Sequence, residues 1–285
     1  MSQQVKLIEC PRDAMQGLHD FIPTDQKAKY INALLQVGFD TIDFGSFVSP
    51  KAIPQLRDTK EVLSKLDLSK TKSKLLAIVA NFRGAEEAAA FDEINYLGFP
   101  FSVSEEFQKR NTNSTIEESL VRVEEIQSLC VKQKKELVIY ISMGFGNPYN
   151  EPWNADIVIK WVKKLSGLGI RIVALADTVG VSNHENITHL FSHLIPEFKD
   201  VEFGAHLHSN PMSWEEKIRA AYRSGCMRFD SAMKGIGGCP MAKDELVGNI
   251  ATENVVQFFD KEKVSLGLDQ SFFSNALRAA NETFS

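Results

Sequence analysis

Two histidines, His206 and His208, end the run Val201-Glu202-Phe203-Gly204-Ala205-His206-Leu207-His208. The run begins as an apolar strand, and strand side chains alternate faces, so residues at i and i+2 point the same way. Two converging imidazoles make half of a metal site, because neutral imidazole is the commonest metal-binding side chain. The competing reading is two histidines satisfied by hydrogen bonds at a strand end. Asp13, in Pro11-Arg12-Asp13, is the natural carboxylate to join them. Asn249, in Val247-Gly248-Asn249-Ile250, could add an amide oxygen, although an Asn near a helix start also reads as its cap. Two imidazoles with oxygen donors suit Mg²⁺ or Mn²⁺, with Zn²⁺ or Co²⁺ as alternatives.

These residues need a scaffold, and the chain supplies a repeating one. Short apolar runs read as strands at 5–9, 41–44, 75–80, 93–98, 137–142, 171–175, 202–206 and 227–231. Their composition is that of strands buried on both faces, as in a parallel sheet covered by helices. Amphipathic stretches begin near Thr24, Gln55, Gly84, Thr115, Asn154, Asn183, Ser213 and Lys243. Thr115 and Asn154 look like helix caps. Gly38, Gly169 and Gly225 each close a helix just before a strand. Eight strand–helix units predict a (β/α)8 TIM barrel over residues 1–285 as one domain, with a doubly wound open sheet as the runner-up. Residues from about 262 to 285 read as a short C-terminal helical extension covering the barrel or a partner.

A barrel of this kind carries its chemistry at the C-terminal strand ends. Arg12, Asp13, Asp43, Asp177, His206 and His208 all fall there, followed by Lys234-Gly235-Ile236-Gly237-Gly238-Cys239-Pro240. They read either as a functional site at one mouth or as a structural ion-pair network around Arg12. Cys239 alone would read as a small buried apolar residue. Between Gly238 and Pro240, beside a polar mouth, it reads better as an acid or base.

Composition narrows the classes further. Hydrophobic residues at 44% and charged residues at 24% describe a globule with ample core. A net charge of −5 argues against a nucleic-acid partner. No apolar run reaches the ~18 residues of a membrane span. The start of the chain suggests no signal or transit peptide, and four cysteines without paired spacing suggest reduced thiols in the cytoplasm.

Taken together, the motifs become recognisable. They are Pro11-Arg12-Asp13-Ala14-Met15-Gln16, Phe44-Gly45-Ser46-Phe47-Val48-Ser49-Pro50-Lys51 and Asn113-Ser114-Thr115-Ile116-Glu117-Glu118-Ser119. Ala176-Asp177-Thr178-Val179-Gly180-Val181, Ala205-His206-Leu207-His208, Gly235-Ile236-Gly237-Gly238-Cys239-Pro240 and Gly248-Asn249-Ile250-Ala251-Thr252-Glu253 follow. In this order the chain resembles the 3-hydroxy-3-methylglutaryl-CoA lyases, within the metal-dependent TIM-barrel lyases and Claisen-type synthases. The resemblance implies a divalent cation held by Asp13, His206, His208 and Asn249. It also implies Arg12 facing the thioester, Cys239 as catalytic acid/base, and Asp43 and Asp177 near the reacting centre. The second-strand position is often Glu in the family, so the shorter Asp43 departs from the pattern.

The implied reaction is retro-Claisen cleavage of hydroxymethylglutaryl-CoA to acetyl-CoA and acetoacetate, an expectation the residue types fit. A cation lowers the hydroxyl's pKa and orients the substrate. Arg12 stabilises charge on the thioester oxygen, and a tuned thiol returns a proton. His206, Asp43 and a bound water all stay open as the first base. Lys51, Lys109 and Arg110 are candidates for the CoA phosphates, and read equally as solvated charges. An acyl-CoA substrate and a homodimer are family-level expectations. Ala14-Met15, Met143 and Ser209-Asn210-Pro211-Met212 depart from the family's usual residues, so another branched 3-hydroxyacyl-CoA is the alternative substrate. A barrel that binds metal and ligand without turnover is the non-enzyme alternative.

Overall fold

The computed structural model describes residues 4–238 and 247–285. Its strands are β1 (Lys6–Glu9), β2 (Thr41–Ser46), β3 (Lys74–Ile78), β4 (Ile94–Ser102), β5 (Glu136–Ser142), β6 (Ile172–Asp177), β7 (Glu202–Leu207) and β8 (Arg228–Ser231). Every neighbouring pair is parallel, and β1 pairs with both β2 and β8, so the sheet closes into a barrel. That closure removes the open-sheet alternative. Closure leaves no sheet edge for another chain to pair with. Runs such as Leu-Val-Ile-Tyr-Ile in β5 stay apolar throughout, because one face meets the helices and the other the barrel interior.

The helices between strands are α1 (Pro11–Gln16), α2 (Thr24–Leu35), α3 (Thr59–Ser64), α4 (Phe82–Ala89), α5 (Glu105–Thr112) and α6 (Ile116–Lys132). Then come α7 (Ala155–Gly167), α8 (His184–Glu197), α9 (Trp214–Arg223), α10 (Thr252–Lys261) and α11 (Gln270–Thr283). Thr115 caps α6 in a full capping box with Glu118, and Asn154 caps α7. Gly38, Gly169 and Gly225 sit at φ +97°, +85° and +96°, the left-handed turn that ends a helix at little cost only for glycine.

Several elements differ from the sequence expectation. The stretch expected near Gln55 is a 3₁₀ turn, Pro54–Leu56, before α3. The start expected at Lys243 lies outside the described residues. Two short helices, α1 and α5, carry too few residues for a periodic signal. In α1, Pro11 takes the first helical position, where its missing N–H costs nothing, and swings Arg12 and Asp13 over the barrel mouth. The C-terminal α11 covers this chain's own barrel by packing on α2, with Tyr30 edge-on to Phe284 at 5.4 Å.

Glu9, the last residue of β1, ties the mouth together from outside the barrel. Its carboxyl accepts from the Met233 N–H at 2.9 Å and the Thr252 hydroxyl at 2.5 Å. Burial pushes its pKa from 4.5 up to about 8, against those two hydrogen bonds. The native state therefore keeps a proton that the unfolded chain releases above its ordinary pKa. The resulting stabilisation is complete below that ordinary value and is lost as pH rises through about 8. Urea unfolding from pH ~5 to ~9 should show wild type losing stability relative to Glu9→Gln, which cannot titrate. Parallel pH curves would refute this.

Candidate functional site

The C-terminal strand ends bring Arg12, Asp13, His206 and His208 into one cavity of about 730 Å³. That is the size of an ordinary small-ligand site. Its lining extends outward to Arg83, Arg110 and Arg122, one each on α4, α5 and α6. Of the three residues offered for phosphates, only Arg110 lines it. Ser142 lines the cavity, whereas Ala14, Met15, Met143 and Ser209 are buried outside the lining. Asn210, Pro211 and Met212 are exposed, so of the departures only Ser142 reaches the cavity lining.

Arg12 organises the acidic side of the site. Its Nε and Nη2 both bond to Asp43, the latter at 2.5 Å to Oδ2. Its Nη1 donates to Asp13 Oδ1 at 2.9 Å and to Gln16 Oε1 at 2.9 Å. Burial works against charge on Asp13, but Arg12 first, then His206, His208 and Asn249, hold its pKa down at about 2. For Asp43 burial wins over the Arg12 pair, and its pKa rises to about 6. Asp43 is fully buried and absent from the cavity lining, so it sits behind Arg12.

On the other side, the ligand atoms of Asp13, His206 and His208 lie within 4.8 Å of one another. His206 turns its Nδ1 to Asp230 Oδ2 at 3.1 Å, and this pair raises its pKa despite burial. His208 is 2% exposed, and neither of its ring nitrogens has a hydrogen-bond partner among the described residues. The Thr178 backbone nears the ring and pulls its pKa weakly upward without meeting hydrogen-bond geometry. Burial, then the neighbouring His206, hold His208 neutral, with a pKa lowered to about 4. A buried imidazole with both nitrogens unpaired is costly unless something binds it, and buried polar groups are rarely left so. An ionised carboxylate and two imidazoles fit a divalent cation.

A second group, Cys10, His206 and Asp230, has its ligand atoms equally close. Burial and then Asp230, Asp43 and Asp13 push the Cys10 thiol well above its usual range, so it stays protonated and is a poor ligand. Asn249 does not cap α10, whose cap position is Ala251. It forms an isolated antiparallel bridge with His208, which sets it beside the histidines. Its Nδ2 donates to Asp13 Oδ2 at 2.6 Å and to the Ile236 carbonyl at 3.0 Å, and neither bond uses its Oδ1.

Asp177 is placed elsewhere. Its buried carboxylate accepts from the Ser182 N–H and hydroxyl and from Lys217 Nζ at 2.8 Å. Lys217 also donates to the His208 carbonyl at 2.8 Å, so the pair braces the strand end that carries His208. Lys217→Met would strand a buried carboxylate, and the expected loss of stability is about 3–5 kcal/mol by urea unfolding. A loss under ~1 kcal/mol would show that Ser182 alone satisfies Asp177.

Cys239 lies outside the described residues, but the chain leading to it is well placed. Gly237 has φ +117°, and a side chain there would meet Asn249 Nδ2 at 2.5 Å and the Asp13 carbonyl at 2.9 Å. Only glycine lets this segment run so close to the cluster. Sequence reasoning missed Asp230, Gln16, Tyr140 and Lys217. An aspartate inside the apolar run 227–231 was the available signal for Asp230. Gln16, quoted only within its motif, sits a helical turn from Arg12 and Asp13. Tyr140 and Lys217 had no such signal, because their partners come from other strands and helices.

Comparison with known proteins agrees with this geometry. A family model described as HMGL-like matches residues 4–279. The cytoplasmic 3-hydroxy-3-methylglutaryl-CoA lyase of Rattus norvegicus is 31% identical over 270 residues, covering 94% of this chain and 78% of that protein. The HMG-CoA lyase structure from Brucella melitensis superposes with TM-score 0.91 at 29% identity, covering 99% of both chains. That of an HMG-CoA lyase from Acenitobacter baumannii, in complex with coenzyme A and 3-methylmalate, gives TM-score 0.91 at 30% identity over 98% of this chain and 91% of that one. With the model spanning almost every residue and the barrel shared throughout, this chain belongs to the HMGL-like family.

Proposed function

We propose that this chain is a carbon–carbon lyase that cleaves 3-hydroxy-3-methylglutaryl-CoA to acetyl-CoA and acetoacetate. The observation that carries the reading is the Asp13–His206–His208 cluster in the same cavity as Arg12, within a member of this family. The site suits a divalent cation such as Mg²⁺ or Mn²⁺, held by Asp13, His206, His208 and the Asn249 amide oxygen. When bound, such an ion supplies Lewis-acid polarisation of the substrate's oxygens.

The chain's own residues do the rest. Four Arg12 N–H bonds go to Asp43, Asp13 and Gln16, and a guanidinium has five, so one Nη2 N–H is left for the thioester oxygen. Held rigid by Asp43, that donor stabilises the enolate charge without reorganising. Asp43 thus positions Arg12. Sealed behind it, Asp43 is a poorer candidate for the first base than a water in the cavity. His206 has both ring nitrogens committed, Nδ1 to Asp230 and Nε2 to the cluster with Asp13 and His208. Cys239, at the end of the glycine segment beside Asp13, would return the proton to the enolate. Asp177, through Lys217, would hold His208 in place. Arg83, Arg110 and Arg122 offer charge for an acyl-CoA's phosphates.

Of the residues that depart from the family pattern only Ser142 lines the cavity, which favours hydroxymethylglutaryl-CoA over another branched 3-hydroxyacyl-CoA. No helix among the described residues is long and apolar enough to cross a membrane. We further propose one catalytic domain over residues 1–285, a cytoplasmic location and a homodimer.

The test uses protein stripped with chelator and resupplied with Mg²⁺ or Mn²⁺. Hydroxymethylglutaryl-CoA should yield acetoacetate only when metal is restored, and Cys239→Ala and Asp13→Ala should lose that yield. Cleavage of a different 3-hydroxyacyl-CoA alone would move the assignment to a related lyase. Wild type that binds metal and releases no acyl-CoA product from any candidate thioester, with the variants no different, would point to a binding barrel without turnover.

A further inference from the structure

The barrel interior beneath the histidines is not the apolar plug expected of this fold. Leu76, Ile78, Val138 and Ile172 fill one side as usual. The other side holds charge. Arg228 and Asp230 stand two residues apart on β8, so both point inward. Both are buried, Arg228 completely. Register places Asp230 directly beside His206 and Arg228 beside Gly204. Gly204 makes the room: a side chain there would meet Arg228 Cδ at 3.1 Å and Cγ at 3.3 Å.

The hydrogen bonds of this pair are only partly used from below. Arg228 Nη1 bonds to Glu202 Oε1 at 3.2 Å, while its Nε and Nη2 have no partner among the described residues. Asp230 spends Oδ2 on His206, and its Oδ1 has no partner among the described residues. Asp230 is also the leading electrostatic attraction on Arg228, ahead of Glu202 and Asp40. A carboxyl buried in a barrel core with an unpartnered oxygen is costly unless positive charge lies nearby. Arg228 is the cation beneath it. The His206 ring is further confined by Tyr140, edge-on at 5.5 Å.

We infer that Asp230, backed by the buried Arg228, is a positioning residue. It holds the His206 Nδ1 proton and ring plane so that Nε2 faces Asp13 and His208. A carboxylate behind a metal-binding imidazole fixes tautomer and orientation and raises ligand basicity. Arg228, one inward position below on β8, sets a buried positive charge on the side of that carboxylate. The inference rests on the metal reading of the cluster, but the orientation of His206 exists without metal and can be read separately.

Two readouts test it. In ¹⁵N-histidine-labelled, metal-free protein, at a pH where the ring is neutral, long-range ¹H–¹⁵N correlation reports the His206 tautomer. Wild type should carry the proton on Nδ1, and Asp230→Asn should lose that preference, because an amide can donate as well as accept. In the same pair, Co²⁺ affinity should fall by about 10–100-fold, with an altered visible spectrum. Arg228→Met keeps the apolar stem and removes the charge, so it should move both readouts in the same direction, and Arg228→Lys should restore much of the effect. If a charge-free β8 merely destabilised the barrel, melting would drop while tautomer and affinity stayed put. That result, or a folded Asp230→Asn with wild-type affinity and tautomer, would overturn the inference. Wild type that binds no Co²⁺ would defeat the metal reading, and the tautomer readout would still decide the role of Asp230.

Discussion

Arg12→Gln is expected to lower kcat for hydroxymethylglutaryl-CoA cleavage by about 10³-fold, the cost of losing a fixed donor at a developing oxyanion. Mn²⁺ affinity should change by less than ~10-fold, because Arg12 touches Asp13 Oδ1 while Asn249 still holds Oδ2. Arg12→Lys should rescue little: an ammonium cannot engage both Asp43 oxygens and still reach Asp13 and Gln16. The variant also leaves Asp43 buried without its cation. Burial already raises that pKa from 3.8 to about 6, so loss of Arg12 must raise it further. A carboxyl raised in the folded state contributes stability at low pH that is lost as pH rises through its folded pKa. Arg12→Gln should therefore lose stability at neutral pH more than at pH ~5. A kcat within tenfold of wild type would remove Arg12 from the chemistry and return it to a structural ion pair.

His208→Leu should have effects of opposite sign with and without metal. Without metal, wild type buries an imidazole whose two nitrogens lack hydrogen-bond partners among the described residues, at a cost of about 1–3 kcal/mol. Leu fits a similar volume without polar atoms, so the metal-free variant should be at least as stable as wild type. It should also lose an acid sensitivity. His208 stays neutral when folded, with a pKa of about 4 against an ordinary 6.5, so its stabilisation is lost as pH falls between those values. With metal the order reverses. Wild type at a hundredfold excess of metal over Kd gains about 2.7 kcal/mol, and the variant should gain almost none. Melting curves with chelator and with Mn²⁺, at pH ~7 and ~5, measure all of this. A metal-dependent rise in the variant equal to wild type would take His208 out of the site.

Much of the architecture was legible because it is local. Gly38, Gly169 and Gly225 closed helices where a left-handed turn is needed, and Thr115 and Asn154 opened them. The spacing of His206 and His208 put both on one strand face, and Arg12 and Asp13 had to follow the first strand. What no local signal could provide was the company each group keeps. Barrel closure set β8 against β1 and β7, and this alone put Asp230 beside His206 and Arg228 beneath it. Asp177 reads like Asp13 in one dimension, yet Lys217, from the helix after the next strand, takes its charge. Asn249 read as either a metal ligand or a helix cap, and the fold sets it beside His208 as a bridge partner while Ala251 takes the cap position. Backbone preferences act over a turn of chain and are written into residue types. A buried charge is settled by whichever opposite charge folding brings within a few ångströms, and in this barrel that partner comes from a different strand or helix.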